Sequence, residues 1–246
     1  DILKDLLSVY HTGLTKILGG KGVFENVLDK VFWKHLPHVI SNWKESKQDT
    51  KIKEKQLLRY TLSHIQELLS LNDDGHDDKR NSAEVYIFPP IKDTVSEGFI
   101  VKSIADNTLS VVVTPACDIS QNRADFIQIV KSKSLLDEDS ILNKGNRSNR
   151  IDAIKKFVEN NKGGRFHFLP EFNEIPPSLI DFQNFMSVPR DEFDRKYNSI
   201  CSISSPFYKD VVSRFTSYYA RQGSPDFNVN DIANEIAELF QKIKPV

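Results

Sequence analysis

Residues 110–121 read SVVVTPACDISQ, and the fold of this chain is decided there. Val111, Val112 and Val113 form a continuous β-branched run. Asp106-Asn107 precedes it, and Thr114-Pro115-Ala116-Cys117-Asp118 follows it. β-Branched side chains are stiff at χ1 and suit a pleated surface. A short apolar run between turn signals reads as a strand buried on both faces. Pro115 has no N–H to give a ladder, so the chain leaves the sheet there. Cys117 and Asp118 are therefore expected at a strand end, where scaffolds present side chains for use.

Working outward, GFIVK (98–102) reads as the preceding strand and FIQIVK (126–131) as the following one. Further strands are expected at 84–88, 165–169, 179–182 and 198–203. They are short, closely spaced and separated by Pro- or Asn-containing turns, which predicts a compact barrel rather than a parallel sheet with crossovers. Residues 134–164 interrupt this series with a polar loop and a helix on Ile151, Ile154, Phe157 and Val158, closed by Gly163-Gly164.

The flanks are helical. Leu3, Leu7, Tyr10, Leu14 and Ile17 recur at helical spacing up to a stop at Gly19-Gly20. The pattern resumes over 23–36 and again at Leu58, Leu62, Ile65 and Leu69. Phe24, Phe32, Trp33, Leu58, Leu62 and Ile65 are the expected core of this region. The polar run NDDGHDDKRNS (72–82) is the best boundary. After the barrel, Ser205 is the expected N-cap and Pro206 the first residue of a helix, with Gly223 just past its end. A last helix carries Ile232, Ile236, Leu239 and Phe240. The expected class is α+β, with a helical domain over 1–80 and a β-barrel domain with a helical insertion over 81–246.

Charge does not point to a polyanionic partner, since 33 basic and 34 acidic residues leave a net charge of −1. A local basic patch stays open. No apolar run reaches the eighteen or so residues of a membrane span. Two distant cysteines do not make a disulfide framework, so a reducing, cytoplasmic setting is expected. The chain opens at Asp1 inside a helical pattern and its only Met is Met186. That reads as the C-terminal part of a longer polypeptide, with an upstream domain or a protein partner.

The order GFIV, SVVVTPACDI, DFIQIVKS, helical insertion and FHFLP resembles the MazF/PemK family of SH3-like barrels. LIDFQNFMSVPRDEF, the 197–202 strand and the helix from Pro206 extend the likeness to about residues 95–220. The resemblance implies a small SH3-like barrel, a dimer in solution, and in active members a ribonuclease toxin acting on single-stranded RNA. It also implies an Arg-Pro pair before the valine run, the Arg stabilising the scissile phosphate. Asn107, Thr108 and Leu109 stand there instead. Ser132 fills the slot of the Thr or Ser that follows the next strand. Without the Arg, phosphoryl transfer lacks a charge term of several kcal/mol.

Several groups are candidate sites. Cys117 with Asp118 would make a nucleophile if His167, the only His of the barrel half, lay within hydrogen-bond reach. The competing reading is a small buried thiol beside an Asp whose carboxylate organises the turn. Lys144, Arg147, Arg150, Lys155, Lys156 and Arg165, with Lys162, form the only local basic excess that could meet phosphate, and no aromatic interleaves them before Phe157. No CxxC or HxxxH pair offers a zinc site, and DDGHDDK lacks the ligand spacing of a calcium loop. No metal or cofactor is expected. Two functions remain open. One is an interaction or output module of a bacterial signalling or phage-defence protein, built on a barrel without its ribonuclease Arg. The other is a nuclease or hydrolase with a rearranged site on Cys117, Asp118, His167 and Ser132.

Overall fold

The computed structural model describes residues 2–12, 16–17, 22–38, 49–160, 163–221 and 228–243. They divide into two compact units, Asp1–Arg80 and Asn81–Val246.

The first unit is helical, with α1 (Ile2–His11), α2 (Val23–Lys34) and α3 (Thr50–Leu69). Asp49 caps α3 by accepting the Lys51 N–H at 2.9 Å, which satisfies one of the orphan donors of the first turn. Its core is Val31, Leu36 and Ile65, with Val27, Tyr60 and Leu68 packed around them. Of the six residues expected there, only Ile65 is buried; Phe24, Phe32, Trp33, Leu58 and Leu62 are exposed. The apolar stripes of α2 and α3 are wider than the seam along which the two helices meet, so helical period alone picked the wrong edge. The stop at Gly19-Gly20 lies outside the described residues.

The second unit mixes helix with one antiparallel sheet. Asn81 and Glu84 cap each other, Asn81 Oδ1 accepting the Ala83 N–H and Glu84 Oε1 the Asn81 N–H. This reciprocal cap holds residues 82–85 as a 3-10 turn, so the strand expected from 84 is reduced to β1 (Tyr86–Ile87). The others are β2 (Phe99–Ser103), β3 (Leu109–Val112), β4 (Phe126–Ser134), β5 (Phe166–Leu169), β6 (Ser178–Pro189) and β7 (Tyr197–Ile203). Their order is β1-β7-β2-β3-β4-β6-β5. The sheet curls into an antiparallel half-barrel, and with its helices it makes the α+β class expected from the sequence. Its edges are the two-residue β1 and the four-residue β5, which do not pair with each other. Bulges between Ile100 and Val101 and between Val130 and Ser132 supply local bend, as an extra unpaired residue does.

Alternation places the valine run as expected. Val111 enters a core with Ile100, Val130, Ile180, Phe182 and Cys201. Val112 enters the opposite core with Phe99, Val101, Ile127 and Ile129. The first core is covered by α8 (Ser205–Tyr219) through Tyr208 and Val211. The second is covered by Ile119 of α4 (Ala116–Ser120) and Phe193 of α7 (Arg190–Lys196). The insertion adds α5 (Asp139–Leu142) and α6 (Arg147–Val158), whose Ile141, Ala153 and Phe157 pack on Leu179. α9 (Val229–Ile243) carries an exposed row of Val229, Ile232, Ile236, Leu239 and Phe240. The N-cap of α8 is Ser204, one residue earlier than expected, and Gly223 lies outside the described residues. Among the described residues no helix is long and apolar enough to cross a membrane.

Gly98 turns the chain into β2 at φ +75°, with its N–H on the Val112 carbonyl at 2.9 Å and its carbonyl accepting from Ile203 N–H at 2.8 Å. A Cβ there would stand 3.0 Å from the Tyr208 ring. Gly98→Ala should therefore cost about 1–3 kcal/mol from a left-handed non-glycine residue alone, read as a lowered urea midpoint. In the helical unit, Ile65→Asp should melt the unit because it buries an unpaired charge. Leu62→Asp, at an exposed position, should stay within about 0.5 kcal/mol of wild type. Equal losses from the two aspartates, measured by circular dichroism melting, would refute the assigned helix face.

Candidate functional site

Leaving β3, the chain turns at Pro115 and makes the single turn of α4. Ala116 N–H donates to Glu97 Oε2 at 3.2 Å, and the Asp118 carbonyl accepts from Arg123 N–H at 2.8 Å and Ala124 N–H at 3.2 Å. Cys117 is exposed rather than buried, and its thiol donates to Asp118 Oδ1 at 3.7 Å. The turn is thus organised by the Asp118 backbone carbonyl, whereas the sequence reading gave that task to the carboxylate. The short helix aims Ile119 into the sheet and leaves Cys117 and Ser120 outside.

Arg190 starts α7 after Pro189 ends β6. Its backbone N–H donates to the Asp125 carbonyl at 3.0 Å, and its guanidinium Nη1 donates to the Ile119 carbonyl at 3.1 Å. A half-buried arginine therefore ties α4 to α7. Between α4, α7 and the 92–96 loop lies a cleft of about 550 Å³, its wall including Lys92, Ser96, Asn122, Arg190, Asp194 and Tyr197. Phe193 and Tyr197 stack with centroids 5.1 Å apart at 21°. Burial raises the Tyr197 hydroxyl above its ordinary value, assisted by Asp106. Lys92 Nζ donates to Ser96 Oγ at 2.7 Å. Such a concave mixture of apolar floor and few polar groups is the usual form of a binding site.

The four residues read as a possible catalytic set are not assembled. His167 sits on β5, opposite Ile180 of β6 and three strands from β3 in the sheet order. It is buried, with Nδ1 lacking a hydrogen bond and 3.7 Å from Asp210 Oδ2 of α8. Asp210 also holds Arg214 Nε, at 3.0 Å. Ser132 Oγ donates to the Leu109 carbonyl at 3.1 Å. Ser132 does share a second hollow of about 330 Å³ with Lys102, Asn107, Thr108 and Leu109, where Lys102 pairs with Glu174 at 2.8 Å. Linear sequence missed Arg190. A signal existed in the Pro-Arg pair ending a long strand, but nothing local told that the arginine meets α4.

The basic residues of the insertion are spread over α6 and its approach. Lys144 and Lys156 border a shallow hollow of about 230 Å³ with Asn149 and Asp152. Arg150 Nε donates to the Lys144 carbonyl at 3.1 Å, and Lys155 lies 3.9 Å from Asp152. Arg147 is the first residue of the helix and exposed; Lys162 lies outside the described residues. Arg165 is engaged elsewhere. It grips Asp181 with Nε and Nη2 at 2.7 and 2.6 Å and lies over the Phe166 ring at 4.8 Å. Burial pushes the Asp181 carboxyl up, but the Arg165 hydrogen bonds outweigh it and hold it below the ordinary range. Among the described residues no group of three or more His, Cys, Asp or Glu is placed to hold a metal ion.

No family model matches the sequence, and no curated protein matches it. Among solved structures the chain is similar to crystal structures of MazE-MazF from Deinococcus radiodurans. For Form-III the identity is 11% and the TM-score 0.33, covering 52% of this chain and 98% of that one. For Form-I the identity is 11% and the TM-score 0.34, covering 53% and 100%. Form-II gives 10% and 0.34 over the same shares. This is a remote structural resemblance.

Burial lowers the His167 imidazole to about 4, with Asp210 opposing and Arg214 assisting. The unfolded chain takes up this proton near the ordinary value of 6.5, so it binds more protons than the folded chain between about 6.5 and 4. Stability contributed here is complete above that window and is lost as pH falls through it, on the order of 3 kcal/mol in total. His167→Gln should flatten the difference in urea midpoint between pH 7 and pH 4.5. An unchanged slope would show that His167 is already charged in the fold.

Proposed function

We propose that the unit Asn81–Val246 is a binding module that engages a macromolecular partner and cuts no nucleic acid. The half-barrel is read as a MazF-like SH3 barrel variant on the order of its sequence motifs. One observation carries the functional reading. Cys117 Sγ meets the neighbouring Asp118 carboxylate, His167 lies on β5 without a hydrogen bond at Nδ1, and Ser132 Oγ donates to the Leu109 carbonyl. Among the described residues neither Cys117 nor Ser132 therefore has a histidine base in reach, while Arg190 faces the cleft between α4, α7 and the 92–96 loop with the Ile119 carbonyl as its side-chain partner. A nucleophile needs a base in hydrogen-bond reach, and a buried neutral His three strands away is not one. A guanidinium held by a carbonyl, by contrast, keeps most of its five donors for a ligand.

A second reading, a nuclease, has its own support. Ser132 lies in one hollow with Lys102, Asn107 and Thr108, close to where the sequence resemblance puts the scissile phosphate. Lys102 is the cation there, and it is partly neutralised by Glu174.

The two readings part on one assay. End-labelled single-stranded RNA and DNA of twenty or so nucleotides, incubated with the purified chain with and without divalent cations, should stay intact. Cleavage that disappears in Ser132→Ala or Lys102→Ala would install the nuclease instead.

A further inference from the structure

The cleft between α4, α7 and the 92–96 loop has a charge pattern that narrows what it takes. Arg190 and Lys92 line it, and no carboxylate lies within ion-pair distance of either among the described residues. Asp93 and Asp194 line it too, equally without a cationic partner among the described residues. Two cations and two carboxylates balance, so the cleft has no net attraction for a phosphate backbone, whose binding depends on clustered positive charge. It suits a ligand carrying both signs. Its floor is apolar, formed by Val95, Ile119, Ile127 and Phe193, while Ser96, Ser120, Asn122, Tyr197 and Ser199 offer hydroxyls and an amide around the wall. Such groups match the amides and one apolar side chain of an extended peptide.

We propose that this cleft is a peptide-docking site, in which Arg190 holds a carboxylate of the partner protein and the Val95–Phe193 floor takes the neighbouring apolar side chain. The proposal rests on the binding-module reading. Arg190 is the anchor because it is half-buried and its orientation is fixed by the Ile119 carbonyl, so little side-chain freedom is lost when a carboxylate accepts its remaining N–H groups. Asp93 and Asp194 select for a basic residue beside the carboxylate and against a polyanion. Lys92, exposed and resting on Ser96, supplies a second, weaker contact.

The test uses the whole chain and a panel of acetylated tetrapeptides with a free C-terminus, Leu-Lys-X-Asp, X being Leu, Phe or Val. Backbone amide resonances of Ala116, Ile119 and Ser120 are followed during titration to millimolar peptide, a range in which even millimolar dissociation constants are visible. These amides should shift and saturate with at least one member. The same peptide with Asn for Asp and an amidated end should bind at least tenfold more weakly. Arg190→Gln should weaken binding at least tenfold as well. Because Arg190 also ties α4 to α7, Ser120→Trp, which fills the mouth from an exposed position, serves as a second variant that should abolish the shifts at unchanged melting temperature. The proposal is overturned if no member saturates, or if inorganic phosphate competes as well as the peptide does. It is likewise overturned if a ten-residue oligouridylate shifts the same amides more tightly. Cleavage of that oligouridylate would remove the binding-module reading too; an intact oligonucleotide with silent peptides removes the peptide assignment alone.

Discussion

Val111 and Val112 are neighbours in one strand, point to opposite faces of the sheet, and are both buried almost completely. Successive side chains of a strand alternate, so this pair can exist only if both faces of the sheet are covered. Each buried valine contributes about 1.5–3 kcal/mol relative to exposure. The requirement spreads outward through the ladder, because Ile100 and Phe99 on β2 and Val130 and Ile129 on β4 divide between the same two cores. A one-residue slip of β3 would exchange every one of these contacts.

That double burial dictates where helices go. On one face α8 brings Tyr208 and Val211, and the Tyr208 ring approaches so closely that a Cβ at position 98 would stand 3.0 Å from it. On the other face two short helices, α4 and α7, each supply a single large side chain, Ile119 and Phe193. Short helices leave gaps that a long one would close. The cleft is the space between them, and Arg190 stands at it because α7 begins where β6 must end at Pro189. The cleft is in this sense a by-product of covering a curled sheet with two small pieces.

The polar groups sort by how they are compensated. Asp181 is nearly buried yet keeps its charge through a bidentate Arg165 and the Gln183 N–H. His167 is nearly buried with an ion 3.7 Å away and no hydrogen bond at Nδ1, and it gives up its charge. Arg190 is only half-buried and retains donors for a ligand. Desolvation without compensation shifts ionisation, and compensation by a backbone carbonyl orients without neutralising.

Sequence by itself determined the strands, and the reason is local. Valine runs, alternation and Pro or Asn turns are short-range signals, and strands β2 to β7 lie where they were read, apart from the lengths of β4, which continues past Lys131 to Ser134, and of β6, which continues past Phe182 to Pro189. It also determined the α6 insertion, through its helical period, and the placing of Cys117 and Asp118 just beyond β3. It could not choose the buried edge of α2 and α3, because helical period marks a stripe and only the neighbouring helix decides which part of that stripe is covered. The extent of β1 was equally illegible, since Asn81 and Glu84 cap each other and hold residues 82–85 as a 3-10 turn, leaving only Tyr86 and Ile87 to pair with β7. The site was illegible for the same physical reason. Cys117 and His167 carry chemistry-bearing side chains, but which of them meet is a matter of strand order, and β4 and β6 stand between. Arg190 and Ile119, seventy-one residues apart in sequence, meet because both α4 and α7 must cover Val112's face of the sheet, and that contact only the tertiary structure decided.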